Sequence, residues 1–332
     1  MQQWRAPWWI RGRGPLAGNA QTIWPALASA HWPYADVTLT GRLERWITPD
    51  HDFIDVDWLV DPVSSQSPLL VLFHGLEGSS SSHYAQAFAH WAWHEGWGCV
   101  VPHFRSCSGE LNWAPRAYHS GDYIEADWVL SRLKLAHPHG PRVAVGISLG
   151  GNVLLRWAQE AGHGGSLLVR AMAAISAPLD LAAAGHAIGK GFNRLVYTRM
   201  FLDSMKPKAL ARLSKFPGLY DEQALRAVRD IYEFDNVVTA PMHGFANTED
   251  YWARCSSGPR MKELVGIPTL VLNARNDPFM PASVLPTADQ VGSWVTLWQP
   301  EEGGHVGFPG GYWPGHVGDM PQAVGDWLAQ HI

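Results

Sequence analysis

The chain has 332 residues, of which 46% are hydrophobic, and it carries a formal net charge of −5 with no run of lysine or arginine. This length allows about two domains, or one large α/β domain that carries an insertion. The acidic balance argues against nucleic acid as a partner. Three cysteines, Cys99, Cys107 and Cys255, stand at no metal-ligand spacing and leave an odd thiol. An odd thiol favours a reducing compartment, so we expect a cytoplasmic protein.

The amino-terminal segment has no continuous apolar stretch of the kind found in signal peptides. No part of the chain approaches the ~18 uninterrupted apolar residues of a membrane span, and we therefore expect no stable membrane insertion. Three tryptophans and three arginines within residues 4–13 favour either a transient contact with a lipid surface or aromatic packing at a chain end.

Residues 36–48 and 53–60 are rich in β-branched and aromatic residues, and the second run alternates apolar and acidic side chains. The turn-forming residues 49–52 stand between them. This pattern predicts an antiparallel hairpin with one solvated face.

Four short apolar runs predict buried strands at residues 68–73, 98–102, 143–145 and 170–175. Amphipathic stretches separate them, including a helix over residues 84–95 and one over residues 123–136. Strands that alternate with helices indicate βαβ units and a mainly parallel sheet. Asp122 and Glu125 have the spacing of a capping box at the start of the 123–136 helix.

Strand signals stop between about Asp180 and Lys262 and resume at residues 267–272 and 294–298, before a closing helix at about 320–331. Within this block Pro207 is typical of a first helical turn. Asp221 is a candidate N-cap for one helix that carries a stripe from Leu225 to Tyr232. The sequence therefore predicts an α/β core of residues 1–178 and 263–332 with a helical cap inserted at residues 179–262.

The segment Gly146-Ile-Ser-Leu-Gly150 fits the G-x-S-x-G pattern of a nucleophile elbow. It lies between a buried strand and a helical stripe that ends near Gly162. Ser148 is thus expected on a sharp turn at the carboxyl edge of the sheet, where its hydroxyl is exposed. Small residues on either side allow strand and helix to approach closely.

A serine nucleophile needs a base, and that base needs an orienting carboxylate, in the chain order serine, acid, histidine. Asp277 and His305 each follow a predicted strand, and glycines surround His305. Glu301 and Glu302 are too near His305 in sequence to orient its ring. The sequence therefore predicts a catalytic triad of Ser148, Asp277 and His305.

An oxyanion hole needs two amides that point at the same position. The amide of Leu149 is the first candidate donor. The second is expected in His74-Gly-Leu-Glu-Gly78, from the amide of Leu76 or, as the alternative, of Glu77. The alternative interpretation of the glycines in this segment is a simple turn.

Other patterns do not indicate a metal or cofactor. His90 and His94 have i,i+4 spacing, but the H-E-x-x-H pattern is absent. Residues 79–82 form a serine run that lacks the lysine of a phosphate-binding loop, and no G-x-G-x-x-G follows a strand. We therefore expect neither a metal site nor a cofactor.

Segments along nearly the whole chain resemble the YheT-like branch of the α/β-hydrolases, which is related to mammalian ABHD-type lipases and esterases. They include Asn19-Ala-Gln-Thr-Ile-Trp24, His74-Gly-Leu-Glu-Gly-Ser79, Pro115-Arg-Ala-Tyr-His-Ser-Gly-Asp122 and Gly303-Gly-His-Val-Gly-Phe308, together with the elbow and the Asp277 segment. The chain departs from the family pattern at Ser106, where glycine is usual, and shows no amino-terminal membrane anchor.

The resemblance implies an α/β-hydrolase fold and a cytoplasmic carboxylic-ester hydrolase with Ser148, Asp277 and His305 as its catalytic residues. Short- to medium-chain acyl esters or acylglycerols are the expected small-molecule substrates. A thioesterase, lipase or acyltransferase would use the same residues, and a non-catalytic binding protein on this fold is a further alternative. The oligomeric state is left open.

Overall fold

The computed structural model describes residues 4–28 and 41–332. Its centre is one eight-stranded sheet with the strand order β1-β2-β4-β3-β5-β6-β7-β8. The pairs β1–β2 and β2–β4 are antiparallel, and every other pair is parallel. The predicted hairpin and parallel sheet are confirmed, although residues 36–40 of the first predicted strand lie outside the described residues. The solvated face predicted for the hairpin is wrong for β2, because seven of its eight residues are buried and the Asp55 carboxylate pairs with Arg45. The strands are β1 Arg42–Ile47, β2 Phe53–Val60, β3 Leu69–Phe73, β4 Gly98–Pro102, β5 Arg142–Ile147, β6 Ala171–Ile175, β7 Thr269–Leu272 and β8 Val295–Trp298.

Helices cover both faces of this sheet, which explains why the parallel strands are apolar throughout. Side chains alternate along β3, so that Val71 points into one hydrophobic cluster and Leu70 into the other. Helices α3 (Tyr123–Ala136) and α4 (Leu149–Ala161) pack on the first face. Helices α2 (His83–His94) and α12 (Asp319–Ala329) pack on the second. A further helix, α1 (Pro15–Ala28), precedes the sheet.

The chain between β6 and β7 forms a helical insertion, as the sequence predicts. Leu202, Leu225 and Phe234 belong to a hydrophobic cluster that lies wholly within it. Its α-helices are α5 Leu181–Ile188, α6 Gly191–Asn193, α7 Arg199–Lys215, α8 Glu222–Ala227, α9 Ile231–Phe234, α10 Ala240–Met242 and α11 Thr248–Cys255, with π-helical turns at Arg194–Thr198 and Asp235–Thr239. Short 3-10 segments occur at Gly162–Leu167, Gly258–Glu263, Ala282–Val284 and Ala288–Gln290.

Two helix predictions in this insertion are wrong. Pro207 lies inside α7 rather than in its first turn, because the helical path begins well before it at residue 191. The stripe from Leu225 to Tyr232 belongs to two helices, since α8 ends at Ala227 and Asp230 caps α9. Asp221 is an N-cap as predicted, and its carboxylate accepts a hydrogen bond from the amide of Ala224 at 2.8 Å.

The capping box predicted for α3 is also wrong. Asp122 stands at the N-cap position but makes no side-chain capping bond. Its carboxylate instead pairs with Arg116 of the preceding loop. Glu125 is buried and accepts a hydrogen bond from Arg105 at 2.6 Å. Ion pairs with Arg116 and Arg105, which lie outside the helix, have thus replaced the capping bonds that the spacing predicts.

The amino-terminal tryptophans mostly pack against the protein. Trp4 contacts Phe308 edge to face, and Trp9 contacts Trp24 in the same way. Trp8 is 75% exposed. Aromatic packing at the chain end therefore accounts for two of the three tryptophans. Among the helices of the described residues, none combines the length and apolar character needed to cross a membrane.

Candidate active site

Ser148 lies on the turn between β5 and α4, at the carboxyl edge of the sheet. Its backbone adopts φ 51° and ψ −118°, a conformation that is costly for a non-glycine residue and typical of a nucleophile elbow. The turn is held by the Ser148 amide, which donates to the carbonyl of Ile175 at 2.8 Å. The strain presents the Ser148 hydroxyl to the space above the sheet.

The glycines on either side of Ser148 are required by close backbone contacts. A Cβ atom on Gly146 would lie 2.5 Å from the carbonyl oxygen of Gly150. A Cβ atom on Gly150 would lie 2.3 Å from the carbonyl oxygen of Phe73. Real Cβ atoms do not approach backbone this closely. Glycine at position 146 therefore lets the elbow turn close on itself, and glycine at position 150 lets it pack against β3.

The structure brings the three predicted catalytic residues together. Nε2 of His305 lies 2.9 Å from Oγ of Ser148, and Nδ1 of His305 lies 2.9 Å from Oδ2 of Asp277. With its proton on Nδ1, the imidazole donates to Asp277 and leaves Nε2 to accept the serine hydroxyl proton. The Asp277 carboxylate is fixed in its orientation, because its other oxygen, Oδ1, accepts hydrogen bonds from the amides of Phe279 at 2.7 Å and Met280 at 3.3 Å.

The two glutamates that are close to His305 in sequence have other partners. Glu302 is buried and accepts hydrogen bonds from the amides of Ala6 at 2.9 Å and Gly12 at 3.0 Å. Glu301 lies 3.5 Å from Arg275. Within the described residues, Asp277 is thus the carboxylate that contacts the His305 ring.

The loop after β3 carries the two candidates for the second oxyanion donor, the amides of Leu76 and Glu77. Glu77 has a φ of 56°, and its amide donates to the hydroxyl of Tyr118 at 3.0 Å. Neither the amide of Leu76 nor that of Leu149 donates to another group among residues 4–28 and 41–332. Because the Glu77 donor is occupied, this geometry favours Leu76 over Glu77 as the second oxyanion donor.

His74 fixes the position of this loop. Its Nδ1 donates to the carbonyl of Gly75 at 2.8 Å, and its Nε2 accepts the amide of Phe104 at 3.0 Å. Burial lowers the pKa of His74 to about 3, so the ring is neutral. The hydroxyl of Tyr84 accepts the amide of Gly75 at 3.0 Å. The segment 74–78 is therefore a rigid loop beside Ser148 and more than a simple turn.

Helix α1 supports the loops that carry Asp277 and His305. The amide of His305 donates to the hydroxyl of Thr22 at 2.8 Å. The carboxamide oxygen of Gln21 accepts both the amide of Gly303 and the side chain of Asn276, each at 2.8 Å. Reasoning from the sequence gave these two side chains no role in the site. The one signal for them was the family resemblance of residues 19–24.

Two cavities open onto Ser148 and His305. The first, which we call the catalytic pocket, has about 620 Å³ of empty space and lies between the elbow and α5, with Leu181, Ile188 and Trp252 on its walls. The second, which we call the apolar pocket, has about 910 Å³ and lies between α1 and α7. Both are lined mainly by hydrophobic side chains, which suits an ester with apolar substituents.

The candidate histidine pair is not part of a larger cluster. Nε2 of His90 and Nε2 of His94 lie 3.2 Å apart on α2. In the part of the chain that the structure describes, no group of three or more histidine, cysteine, aspartate or glutamate side chains is arranged to hold a metal ion.

Comparisons with known proteins show the family and the fold. A family model described as the alpha/beta hydrolase fold matches residues 68–312. YheT of Escherichia coli, whose name describes it as a candidate esterase, is 40% identical over 96% of this chain and 92% of its own. Human phospholipase ABHD3 is 30% identical over 82% of this chain and 68% of its own. A solved esterase from Pyrococcus furiosus is similar in fold, with a TM-score of 0.52 and 16% identity over 90% of this chain and 93% of its own.

Proposed function

Because the chain belongs to the alpha/beta hydrolase family and is YheT-like within it, we propose that it hydrolyses carboxylic esters through an acyl-enzyme formed on Ser148. The observation that carries this proposal is the hydrogen-bonded chain from Ser148 through His305 to Asp277, with both distances at 2.9 Å. A hydroxyl so placed is activated by the imidazole that takes its proton.

The reaction has two steps. His305 removes the proton of Ser148 as the serine oxygen attacks the ester carbonyl, and the amides of Leu149 and Leu76 stabilise the tetrahedral oxyanion. His305, whose charge Asp277 stabilises, then protonates the departing alkoxide. Water attacks the acyl-enzyme by the same sequence and releases the acid. This scheme needs no cofactor.

The two cavities suggest how substrate is held. Residues 179–262 act as a cap over a core of residues 1–178 and 263–332, and cap residues line both pockets. One substituent of the ester would occupy the apolar pocket and the other the catalytic pocket. This arrangement favours short- to medium-chain acyl esters or acylglycerols. The unpaired thiols of Cys99, Cys107 and Cys255 support a cytoplasmic enzyme.

A panel of substrates tests the proposal. p-Nitrophenyl esters with acyl chains of increasing length, monoacylglycerols and acyl-CoA thioesters are ranked by kcat/KM with the wild-type protein and Ser148→Ala. We expect the highest values for oxygen esters and a loss of turnover in the variant. Preference for acyl-CoA would favour a thioesterase, and transfer to an added alcohol would favour an acyltransferase. Turnover of no substrate would favour a binding protein.

A further inference from the structure

Arg212 of α7 is a buried cation beside the active site. Its side chain lines a third cavity, which we call the Lys208–Arg212 pocket. Only 6% of the residue is exposed. Among the described residues, no carboxylate oxygen lies within 4.0 Å of its guanidinium nitrogens. A charge removed from water costs several kcal/mol unless it is paired, so an anion in this pocket would be stabilised by Arg212.

The other charged groups that line this pocket have partners. Lys208 pairs with Glu77 at 2.6 Å, and Glu77 also accepts a hydrogen bond from Tyr118 at 2.8 Å. Arg105 pairs with Asp52 at 2.7 Å, as well as with Glu125 and Asp50.

The titratable groups that remain on the walls are Asp235, His119 and Tyr251, whose hydroxyl accepts the amide of Ser120 at 2.9 Å. Asp235 accepts hydrogen bonds from Thr239 at 2.7 Å and from Trp252 at 2.9 Å, and burial raises its pKa to about 6. His119 is neutral, because burial lowers its pKa to about 3. Arg212 is therefore the cation on these walls that lacks a carboxylate within 4.0 Å.

Ser106 holds the Arg212 side chain in place. Its hydroxyl accepts a hydrogen bond from Nη2 of Arg212 at 3.0 Å. Ser106 has a φ of 66°, in the left-handed region where glycine is favoured. The amide of Ser106 is fixed by the side chain of Asn112 at 2.5 Å. Ser106 thus supplies a neutral acceptor to the guanidinium, and Tyr220 is a second neutral partner. The carboxylates of Asp52 and Glu77 act on Arg212 only from beyond 4.0 Å, so no direct ion pair within the described part of the chain compensates its charge.

The Lys208–Arg212 pocket adjoins the catalytic pocket. Leu76 and Leu149 line both cavities, and so do Asp235 and Tyr251. The amides of Leu76 and Leu149 are the proposed oxyanion donors. A substrate whose carbonyl lies at these amides can therefore extend through the catalytic pocket toward Arg212.

From this arrangement we infer that the Lys208–Arg212 pocket binds an anionic group, carboxylate or phosphate, which the substrate carries several bonds from its ester carbonyl. The second substituent of the ester, which is apolar, occupies the apolar pocket. A planar guanidinium donates two parallel hydrogen bonds to such an anion, which gives strong and directional binding. This inference rests on the proposed ester hydrolysis and narrows its substrates to esters with one apolar and one acidic end.

Matched pairs of esters test the inference. On the acyl side, the p-nitrophenyl ester of hexanedioic acid with a free carboxylate is compared with the same compound as its methyl ester. On the alcohol side, the hexanoate ester of 4-hydroxybutyrate is compared with that of its methyl ester. The hexanoate ester of 4-hydroxybutyl phosphate distinguishes phosphate from carboxylate. We expect the anionic member of at least one pair to have a kcat/KM about tenfold higher or more, equivalent to about 1.4 kcal/mol.

Substitutions in α7 test whether Arg212 is responsible for the preference for anionic esters. Arg212→Met should reduce the ratio of anionic to neutral kcat/KM at least tenfold, and Arg212→Lys should restore part of it. Arg199→Met is the matched control, because Arg199 lies on the same helix with its side chain 80% exposed; it should leave the ratio unchanged. Equal losses for both members of a pair in Arg212→Met would show a structural role and overturn the inference. Absence of any anionic preference in the wild-type protein would also overturn it.

Two further measurements test the inference if the Arg212 variant does not fold or if the wild-type protein hydrolyses no ester. If Arg212→Met does not fold, adipate should inhibit neutral-ester hydrolysis by the wild-type protein more strongly than dimethyl adipate does, and equal inhibition would contradict the inference. If the wild-type protein hydrolyses no ester, the proposed hydrolysis fails by itself. Calorimetric binding of adipate, and its loss in Arg212→Met, then decides whether the anion site exists.

Discussion

Thr22 of α1 accepts the backbone amide hydrogen of His305 at 2.8 Å, although the two residues are 283 positions apart in the chain. The same hydroxyl donates to the carbonyl of Gly18 at 2.7 Å. Gln21, one residue earlier, joins the loop of His305 to the loop of Asp277. The first helix therefore holds the base and the acid of the proposed triad relative to each other.

Removing this support should impair catalysis more than substrate binding. Thr22→Val leaves the His305 amide without its acceptor, at a cost of about 1–3 kcal/mol. If this cost appears in the transition state, kcat should decrease by about 5- to 160-fold, with KM within about twofold. Thr22→Ser should retain most activity. Gln322→Ala on the exposed face of α12 serves as the control. A proportional rise in KM with unchanged kcat would contradict a positioning role.

Asp277→Asn should lower kcat by about 10³- to 10⁴-fold, because the amide stabilises neither the required tautomer nor the imidazolium. The fold should persist, since the Asn oxygen can still accept the amide of Phe279. Steady-state kinetics and circular dichroism of the variant measure both effects. Asp289→Asn, at an exposed site, should retain full activity. Near-normal turnover in Asp277→Asn would exclude Asp277 as the orienting acid.

Gly150→Ala should destabilise the protein as well as inactivate it. The new methyl group would lie 2.3 Å from the carbonyl oxygen of Phe73 and 2.5 Å from that of His74, so backbone has to move. Overpacking of this kind costs about 1–3 kcal/mol in the free energy of unfolding. Gly164→Ala is the matched control, because nothing lies within 4 Å of its Cβ position. Urea denaturation of both variants measures the difference, and equal stability would contradict the close approach of elbow and β3.

Asp235 should make stability depend on pH. Burial raises its pKa from 3.8 to about 6, so the folded protein retains a proton that the unfolded chain releases. The contribution of Asp235 to stability is therefore full below pH 3.8 and is lost as the pH rises to about 6. Relative to Asp235→Asn, wild type should lose up to about 3 kcal/mol over this interval. Denaturation of both proteins from pH 4 to pH 8 tests this, and a difference independent of pH would contradict it.

The sheet and the three proposed catalytic residues could be predicted because each has a local signature. Ser148 and Asp277 follow buried strands and His305 follows the half-buried edge strand β8, and parallel strands bring their carboxyl ends to one edge. The elbow also has an unusual glycine spacing. The local pattern and the fold agree at these positions, so the order of residues in the sequence was sufficient to predict that the three side chains lie at one edge of the sheet.

The features that could not be predicted depend on tertiary contacts, which the local pattern of residues does not specify. Asp122 pairs with Arg116 rather than capping α3, because its loop brings a cation close. Pro207 lies inside α7, whose path is set by packing in the insertion. Gln21 and Thr22 meet the triad loops across almost the whole chain. No local periodicity distinguishes these outcomes from their alternatives.

The most direct test of the proposed Ser148 nucleophile is the site and rate of its reaction with a fluorophosphonate, measured by peptide mass spectrometry. The wild-type protein should acquire one adduct on the peptide that contains Ser148. His305→Gln should react at least about 10³-fold more slowly, because the base is lost. Ser148→Ala should acquire no adduct. Unchanged labelling of Ser148→Ala, or a wild-type protein that remains unlabelled, would contradict the activation of Ser148 by His305.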